Sequence, residues 1–146
     1  MYTLSYSPSE TEKENASNIY ILTLMTVILG LPFPILNLFA CIGFYFLQRN
    51  KTPFTKFHGL QAITSQVPII LMNSGGIFWT LRLLFHKTSI SNEYIAYIIT
   101  ILIFNIIDVV YNIIAAMKAR KGFIYIYSFF GPLSWMIIKD KSNPYV

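Results

Sequence analysis

Charge is scarce in this chain. Only 12% of its 146 residues are Asp, Glu, Lys or Arg, against about 25% in an ordinary soluble domain. Hydrophobic residues make up 55% and the mean hydropathy is +0.55, values foreign to a soluble fold. Cysteine is scarcer still. The single one, Cys41, lies inside an apolar run, which excludes a disulfide framework or a zinc site. With two histidines and one cysteine in all, a metal enzyme is not expected, nor any bound metal. There is no Gly-x-Ser-x-Gly element, so a hydrolase built from Ser65, His58 and Asp108 lacks the oxyanion-hole motif it needs. The net charge of +5 does not indicate nucleic acid, because no basic stripe is interleaved with exposed aromatics. The first eighteen residues lack the basic region of a secretory signal, and no small-residue cleavage site follows the next apolar run. The first apolar segment is therefore expected to stay in the mature protein.

What the chain does have is long apolar runs. Several windows of about 20 residues carry one charge or none, the length that crosses ~30 Å of hydrocarbon. The expected fold class is all-α, a multi-pass helical membrane protein. Its expected organisation is a polar N-terminal tail over 1–18, one membrane domain over 19–138 and a short C-terminal tail over 139–146.

The first segment, Ile19 to Leu47, is broken at Gly30-Leu-Pro-Phe-Pro34. Two prolines so close cannot sit in a helix interior, since each removes a donor and clashes with the preceding turn. Each half is about 14 residues, roughly 20 Å long, so either one kinked span or a re-entrant hairpin fits. Asn37 is placed to bond carbonyls freed at the break. The second segment starts at Thr52-Pro53, a helix-start signal, and covers about 54–85, with Pro68 and Asn73-Ser-Gly-Gly76 inside it. Gly75 and Gly76 predict a bend or a close helix approach. Arg82, His86, Lys87 and Glu93 mark the next turn. The third segment covers about 94–118 and ends at Lys118-Ala-Arg-Lys-Gly122, where cations suit a helix C-terminus and glycine its cap. The fourth, Phe123 to Ile138, contains Gly131-Pro132 and the headgroup-seeking Tyr125, Tyr127 and Trp135. It is short for a span and is expected to be interfacial or re-entrant. The basic residues Arg49, Lys51 and Lys56, with Lys118, Arg120 and Lys121, predict that loops 49–56 and 118–122 face the cytoplasm, two crossings apart.

The polar residues inside these runs are the candidates for function. Asp108 lies ten residues before Lys118, about 15 Å along a helix and hence near the bilayer centre. A charge there must be protonated, paired or facing a wet cavity. Asn105, Asp108 and Asn112 share one helix face, and Ala115, Ala116 and Ala119 continue it with small residues suited to close packing. If the second and third segments are antiparallel, Ser65 and Gln66 lie level with Asp108, and His58 and Gln61 near Ala115 to Ala119. The predicted site is thus a polar intramembrane seam of His58, Gln61, Ser65, Gln66, Asn105, Asp108 and Asn112. Three uses are open to it: structural glue, a proton or ion relay, or a groove for a translocating segment. His58 reads either as an interfacial helix-start residue or as a pH-sensing or partner-contacting one. The many Tyr and Phe residues are expected to face lipid or form belts.

Thr52-Pro-Phe-Thr-Lys-Phe-His-Gly-Leu-Gln-Ala62, the Asn112-Ile-Ile-Ala-Ala-Met-Lys-Ala-Arg-Lys-Gly122 stretch and the Gly30-Leu-Pro-x-Pro break resemble the small membrane-protein family related to the Tic twenty-kilodalton subunit of chloroplast protein import. The resemblance covers about residues 19 to 130. The family tends to show Tyr-x-Tyr-Pro where this chain has Tyr125-Ile-Tyr-Ser128. The resemblance implies a helical membrane protein of about four segments, with no cofactor and a role in moving or inserting polypeptides.

The expected function is that of a non-enzymatic small subunit of a membrane assembly, in protein translocation or insertion. The alternative is a small oligomeric transporter or channel that uses Asp108 as its ion- or proton-coupling group. The expected partners are the lipid bilayer, other membrane proteins and the chain itself as an oligomer, in the inner membrane of a bacterium.

Overall fold

The computed structural model describes residues 7–30, 39, 42, 43, 46, 52–87 and 89–127, excepting the side chains of 26–30. The prolines after Gly30, Asn37, Cys41, Arg49, Lys51, the fourth segment from Ser128 with Gly131-Pro132 and Trp135, and the tail 139–146 lie outside the described residues. Among the described residues three helices can be traced end to end: α1 (Glu10–Gly30), α2 (Pro53–His86) and α3 (Asn92–Arg120). Among the described residues there is no strand.

Each helix end follows from local chemistry. Ser9 and Glu12 form a reciprocal capping box, in which the Ser9 amide donates to Glu12 Oε2 and the Glu12 amide to Ser9 Oγ. Helix α1 therefore starts at Glu10, inside the stretch expected to be a polar tail. Thr52 precedes Pro53 at the first position of α2, where the missing proline N–H has no intrahelical role. Pro68 sits inside α2 without ending it. At its other end, Lys87 adopts a left-handed conformation (φ 49°). Ser91 caps α3 by accepting from the Tyr94 amide at 3.3 Å. Helix α3 closes in a Schellman motif: Phe123 N–H donates to Lys118 O and Gly122 N–H to Ala119 O, both at 2.9 Å. Gly122 supplies the positive φ of 79° that this turn requires.

Helices α2 and α3 form an antiparallel hairpin joined by residues 87–91. Its register is marked by paired contacts along its length: Thr80 with Tyr94, Asn73 with Asn105, and Gln66 with Asp108. The two helices approach closely at the glycine pair. A Cβ on Gly75 would lie 2.6 Å from Tyr97 Oη, and one on Gly76 would lie 2.5 Å from Ile101 Cδ1. Helix α1 packs against both others, and more extensively against α3. Glu14 pairs with Arg120 at 3.4 Å, while Tyr20 reaches His58 and Gln61. So α1 begins at the end where α2 begins and α3 stops, and runs alongside α2.

The core gathers at that end. Ala16, Ile19 and Tyr20 of α1 meet Phe54, Phe57 and Ala62 of α2, Ala115, Ala116 and Ala119 of α3, and Ile124 and Tyr127 beyond it. The three α3 alanines are the small residues that let another helix come close. Elsewhere the hairpin turns its apolar side chains outward: Phe78 is 71% exposed, Phe85 80% and Ile106 63%. Helices α2 and α3 are long and apolar enough to cross a membrane by length and composition, yet only 17% of the most apolar window of each is buried. Core helices of a water-soluble fold would be mostly covered.

Candidate functional site

A connected set of polar side chains runs through the three-helix end of the molecule, assembled from α1, α2, α3 and the extended segment after α3. His58 stands on the second turn of α2, with its ring wholly buried. Its Nδ1 lies 2.9 Å from the hydroxyl of Tyr20 on α1. That hydroxyl also accepts from Gln61 Nε2 at 3.0 Å, so the phenolic hydrogen is left to point at the imidazole. Gln61 is one turn further along α2, on the same face as His58. Both ends of its carboxamide are engaged: Nε2 also donates to Tyr125 O at 2.8 Å, and Oε1 accepts from the Tyr127 amide at 3.2 Å. Gln61 thereby holds the backbone of residues 125–127 as a neighbouring β-strand would. The Schellman turn at Gly122 makes this possible by folding the chain back onto the helices.

From there the connection descends α3. Tyr127 Oη donates to Asn112 Oδ1 at 3.2 Å, and Asn112 Nδ2 donates to Asp108 O at 2.8 Å. Asp108 Oδ2 accepts from Gln66 Nε2 at 2.9 Å. Asn112, Gln61 and Gln66 are fully buried and Asp108 nearly so. In an apolar surrounding such groups must satisfy one another, because an unpaired one is costly. One atom breaks the rule. Among the described residues, His58 Nε2 is the buried side-chain N or O atom with no hydrogen-bond partner.

The structure thus joins His58, Gln61, Asn112, Asp108 and Gln66 in one network. Ser65 stays out of it, since its Oγ donates to Ala62 O within its own helix. Asn105 belongs to a separate pair: its amide and that of Asn73 exchange hydrogen bonds of 2.8 and 3.1 Å. Three members of these clusters, Tyr20, Asn73 and Tyr127, were not expected from the sequence. The pattern Ala16, Ile19, Tyr20, Thr23 is the helical signal that marks Tyr20 as inward-facing. Asn73 is an uncharged polar residue in an apolar helix, the same signal that singled out Asn105. Tyr125 and Tyr127, expected among headgroups, instead lie against α2 and α3, with Tyr127 buried.

At the nearby helix ends, Lys56, Lys118, Arg120 and Lys121 are exposed. Lys13 Nζ donates to Glu10 Oε1 at 2.8 Å, which holds the Glu10 carboxyl below its ordinary value. Among the described residues no three His, Cys, Asp or Glu side chains gather as a metal site would require. Beside the Asn73/Asn105 pair, an open groove of about 240 Å³ is lined by Asn73, Gly76, Ile77, Thr80, Leu81, Ile98 and Ile101.

The chain matches no curated protein and no solved structure. Comparison with family models overturns the Tic-related resemblance, and the polypeptide-transport role that rested on it goes with it. The physical reason lies in the motifs themselves. Thr52-Pro53 starts a helix, His58 and Gln61 face a buried seam, and Gly122 stops a helix. Each is a local device for starting, packing or stopping a helix, and none of them fixes a family. The family model that does match covers residues 15–134, and the chain belongs to the magnetosome magnetite crystal formation protein family, MamF/MmsF.

Proposed function

We propose that this chain is a non-enzymatic, multi-pass protein of the magnetosome membrane that takes part in magnetite crystal formation as a structural subunit. The observation that carries the reading is the family match over residues 15–134. Two features of the structure support it. The outward faces of α2 and α3 are aliphatic and aromatic over spans sufficient for a bilayer. The polar side chains between the helices are turned inward and bonded to one another, which makes the bundle self-contained in lipid. In this reading α2 and α3 cross the bilayer as a hairpin. Lys56, Lys118, Arg120 and Lys121 face the cytoplasm. The partners are lipid, other membrane proteins and further copies of the chain.

The test is a chromosomal tag and a clean deletion in the native cell. The tagged chain is expected to fractionate with magnetite-bearing membranes, and the deletion to alter crystal number, size or shape under electron microscopy. Fractionation elsewhere, with unchanged crystals in the deletion strain, would contradict the proposal.

A second reading is favoured by one observation, the buried carboxyl of Asp108, whose Oδ2 accepts from Gln66 Nε2 between the two apolar helices. In it the protein is a small oligomeric transporter with Asp108 as coupling group. Asp108→Asn keeps an acceptor for Gln66, so assembly should persist while coupled transport into vesicles is lost. Unchanged crystals in a strain carrying Asp108→Asn at normal abundance would remove this reading and leave the structural one standing.

A further inference from the structure

A phenol gives up an electron at neutral pH only if its proton can leave at the same time, because the oxidised phenol is a very strong acid. Tyr20 has such an outlet. Its hydroxyl accepts from Gln61 Nε2 at 3.0 Å, and its own hydrogen is directed at His58 Nδ1, 2.9 Å away. Both rings are sealed from solvent. The imidazole is enclosed by the edges and faces of Phe54, Phe57 and Tyr20, with ring centroids at 4.5, 5.5 and 5.5 Å. Its Nε2 is the unpartnered atom described above, and such an atom in a native fold calls for an explanation, a redox or catalytic role being one.

A route for the electron is present as well. The Tyr20 ring lies 6.2 Å from Tyr127, and Tyr127 lies 5.3 Å from Tyr111 and 5.9 Å from Tyr125. Tyr111 and Tyr125 are 6.3 Å apart. Aromatic rings this close exchange electrons readily. The inner members, Tyr20 and Tyr127, are buried, whereas Tyr111 and Tyr125 are partly exposed. The path therefore runs from a sealed pair to an open one, and Tyr111 stands on α3 next to the lipid-type residue Val110.

We propose that Tyr20 and His58 form a redox-active phenol–imidazole pair, reached through Tyr127, Tyr111 and Tyr125, that takes an oxidising equivalent from lipid peroxyl radicals. The peroxyl radical abstracts a hydrogen atom from the hydroxyl of Tyr111 or Tyr125. The phenolic O–H bond breaks, the peroxyl oxygen gains an O–H bond to become a hydroperoxide, and a neutral tyrosyl radical remains. An electron then passes from Tyr20 through Tyr127 to that radical, which takes a proton from water and regains its O–H bond. As the electron leaves, the Tyr20 proton moves to His58 Nδ1. The net change is one peroxyl radical and one proton converted to one hydroperoxide, with one electron drawn from Tyr20. What remains is a neutral Tyr20 radical bonded to an imidazolium.

The choice of a lipid oxidant rests on the membrane placement proposed above; the pair itself does not. The experiment therefore has two arms. In detergent, the purified protein is oxidised with hexachloroiridate(IV), freeze-quenched and read by electron paramagnetic resonance. A tyrosyl radical is expected in the wild type and in Tyr94→Phe, whose hydroxyl bonds Thr80 at the far end of the hairpin. The long-lived signal is expected to be lost in Tyr20→Phe and in Tyr127→Phe alike, each leaving only a short-lived species on the outer tyrosines. Circular dichroism checks that each variant keeps its helices. Equal, equally long-lived signals in wild type and Tyr20→Phe would overturn the pair, as would no signal in the wild type. In the second arm, vesicles of unsaturated phosphatidylcholine, with incorporation verified by flotation, are exposed to a lipid-soluble azo initiator. Wild-type protein is expected to slow hydroperoxide chain growth, and Tyr20→Phe, left with the outer tyrosines alone, to slow it measurably less; equal protection by the two would overturn the role of the pair in lipid. A radical in detergent with no protection in loaded vesicles would overturn the lipid oxidant while leaving the pair, and failure to float would instead refute the membrane placement.

Discussion

Gln61→Leu is the sharpest perturbation of the seam. Gln61 is fully buried and its carboxamide meets three partners: Tyr20 Oη, Tyr125 O and the Tyr127 amide. Leucine has nearly the same volume, so little cavity opens and the effect reports on hydrogen bonds. Tyr20 keeps His58 as a partner, but the Tyr127 N–H and the Tyr125 carbonyl lose theirs. A buried group left unpaired costs about 1–3 kcal/mol, which gives about 2–6 kcal/mol for the two. The Tyr125 carbonyl is only partly buried, and the added leucine gains about 1–2 kcal/mol of burial, so the expected net loss is about 1–4 kcal/mol. That is a large part of a total stability of about 5–15 kcal/mol. The assay is unfolding of the detergent-solubilised protein by increasing dodecyl sulfate, followed by circular dichroism. Amide exchange at Tyr127 serves as a local readout. Ser65→Ala is the control, because its hydroxyl bonds only to its own helix, and about 0.5 kcal/mol or less is expected of it. If Gln61→Leu costs no more than Ser65→Ala and Tyr127 stays protected, the network does not hold the segment after α3 to the helices.

Three further outcomes follow from particular contacts. Gly76→Ala would set a methyl 2.5 Å from Ile101 Cδ1; Ile101 must leave its rotamer at about 0.5–1.5 kcal/mol, which the same unfolding assay should read, and Gly76→Val should cost more. Gly122→Ala places a side chain at φ 79° and against the Lys13 stem, so a loss of about 1–2 kcal/mol is expected, together with weaker amide protection at Phe123. Asn73→Ala and Asn105→Ala, combined in a double-mutant cycle, should show a coupling of about 0.6–2 kcal/mol from their two exchanged hydrogen bonds, and no coupling would mean that the pair does not form.

Much of the hairpin was legible in the chain because its ends are written locally. Thr52-Pro53 and Lys118 to Gly122 are start and stop signals that work whatever packs around them. They set helix limits of about 54–85 and 94–118 against the observed Pro53–His86 and Asn92–Arg120. Counting from those ends also places Gln66 opposite Asp108. The N-terminal helix was less legible. Residues 10–18 look like a tail by polarity, yet Ser9-x-x-Glu12 caps a helix there, and the buried Ala16 and Ser17 sit one turn before the apolar run. Tyr20 and Tyr127 were the least legible. An isolated tyrosine in an apolar sequence suits a membrane interface as well as a core, and what buries these two is contact between segments far apart in the chain. Ser65 shows the opposite limit. It lies in the right turn of α2, but a serine hydroxyl can bond the backbone one turn back and never reach a neighbour.

In the proposed placement α2 and α3 cross a bilayer as a hairpin, with the polar seam inside. This placement is tested most directly by cysteine labelling in a Cys41→Ser background. Single cysteines are placed at Ser89 in the α2–α3 turn, at Lys121 beyond α3 and at Ile106 on its outward face. Each is produced in the inner membrane of a bacterium that makes no magnetosomes and is exposed to a membrane-impermeant maleimide in intact cells and in inverted vesicles. The cysteine at 89 should label only in cells and the one at 121 only in inverted vesicles. The cysteine at 106 should label in neither until the membrane is dissolved. Labelling of 89 and 121 from the same side, or of 106 in an intact membrane, would contradict the placement.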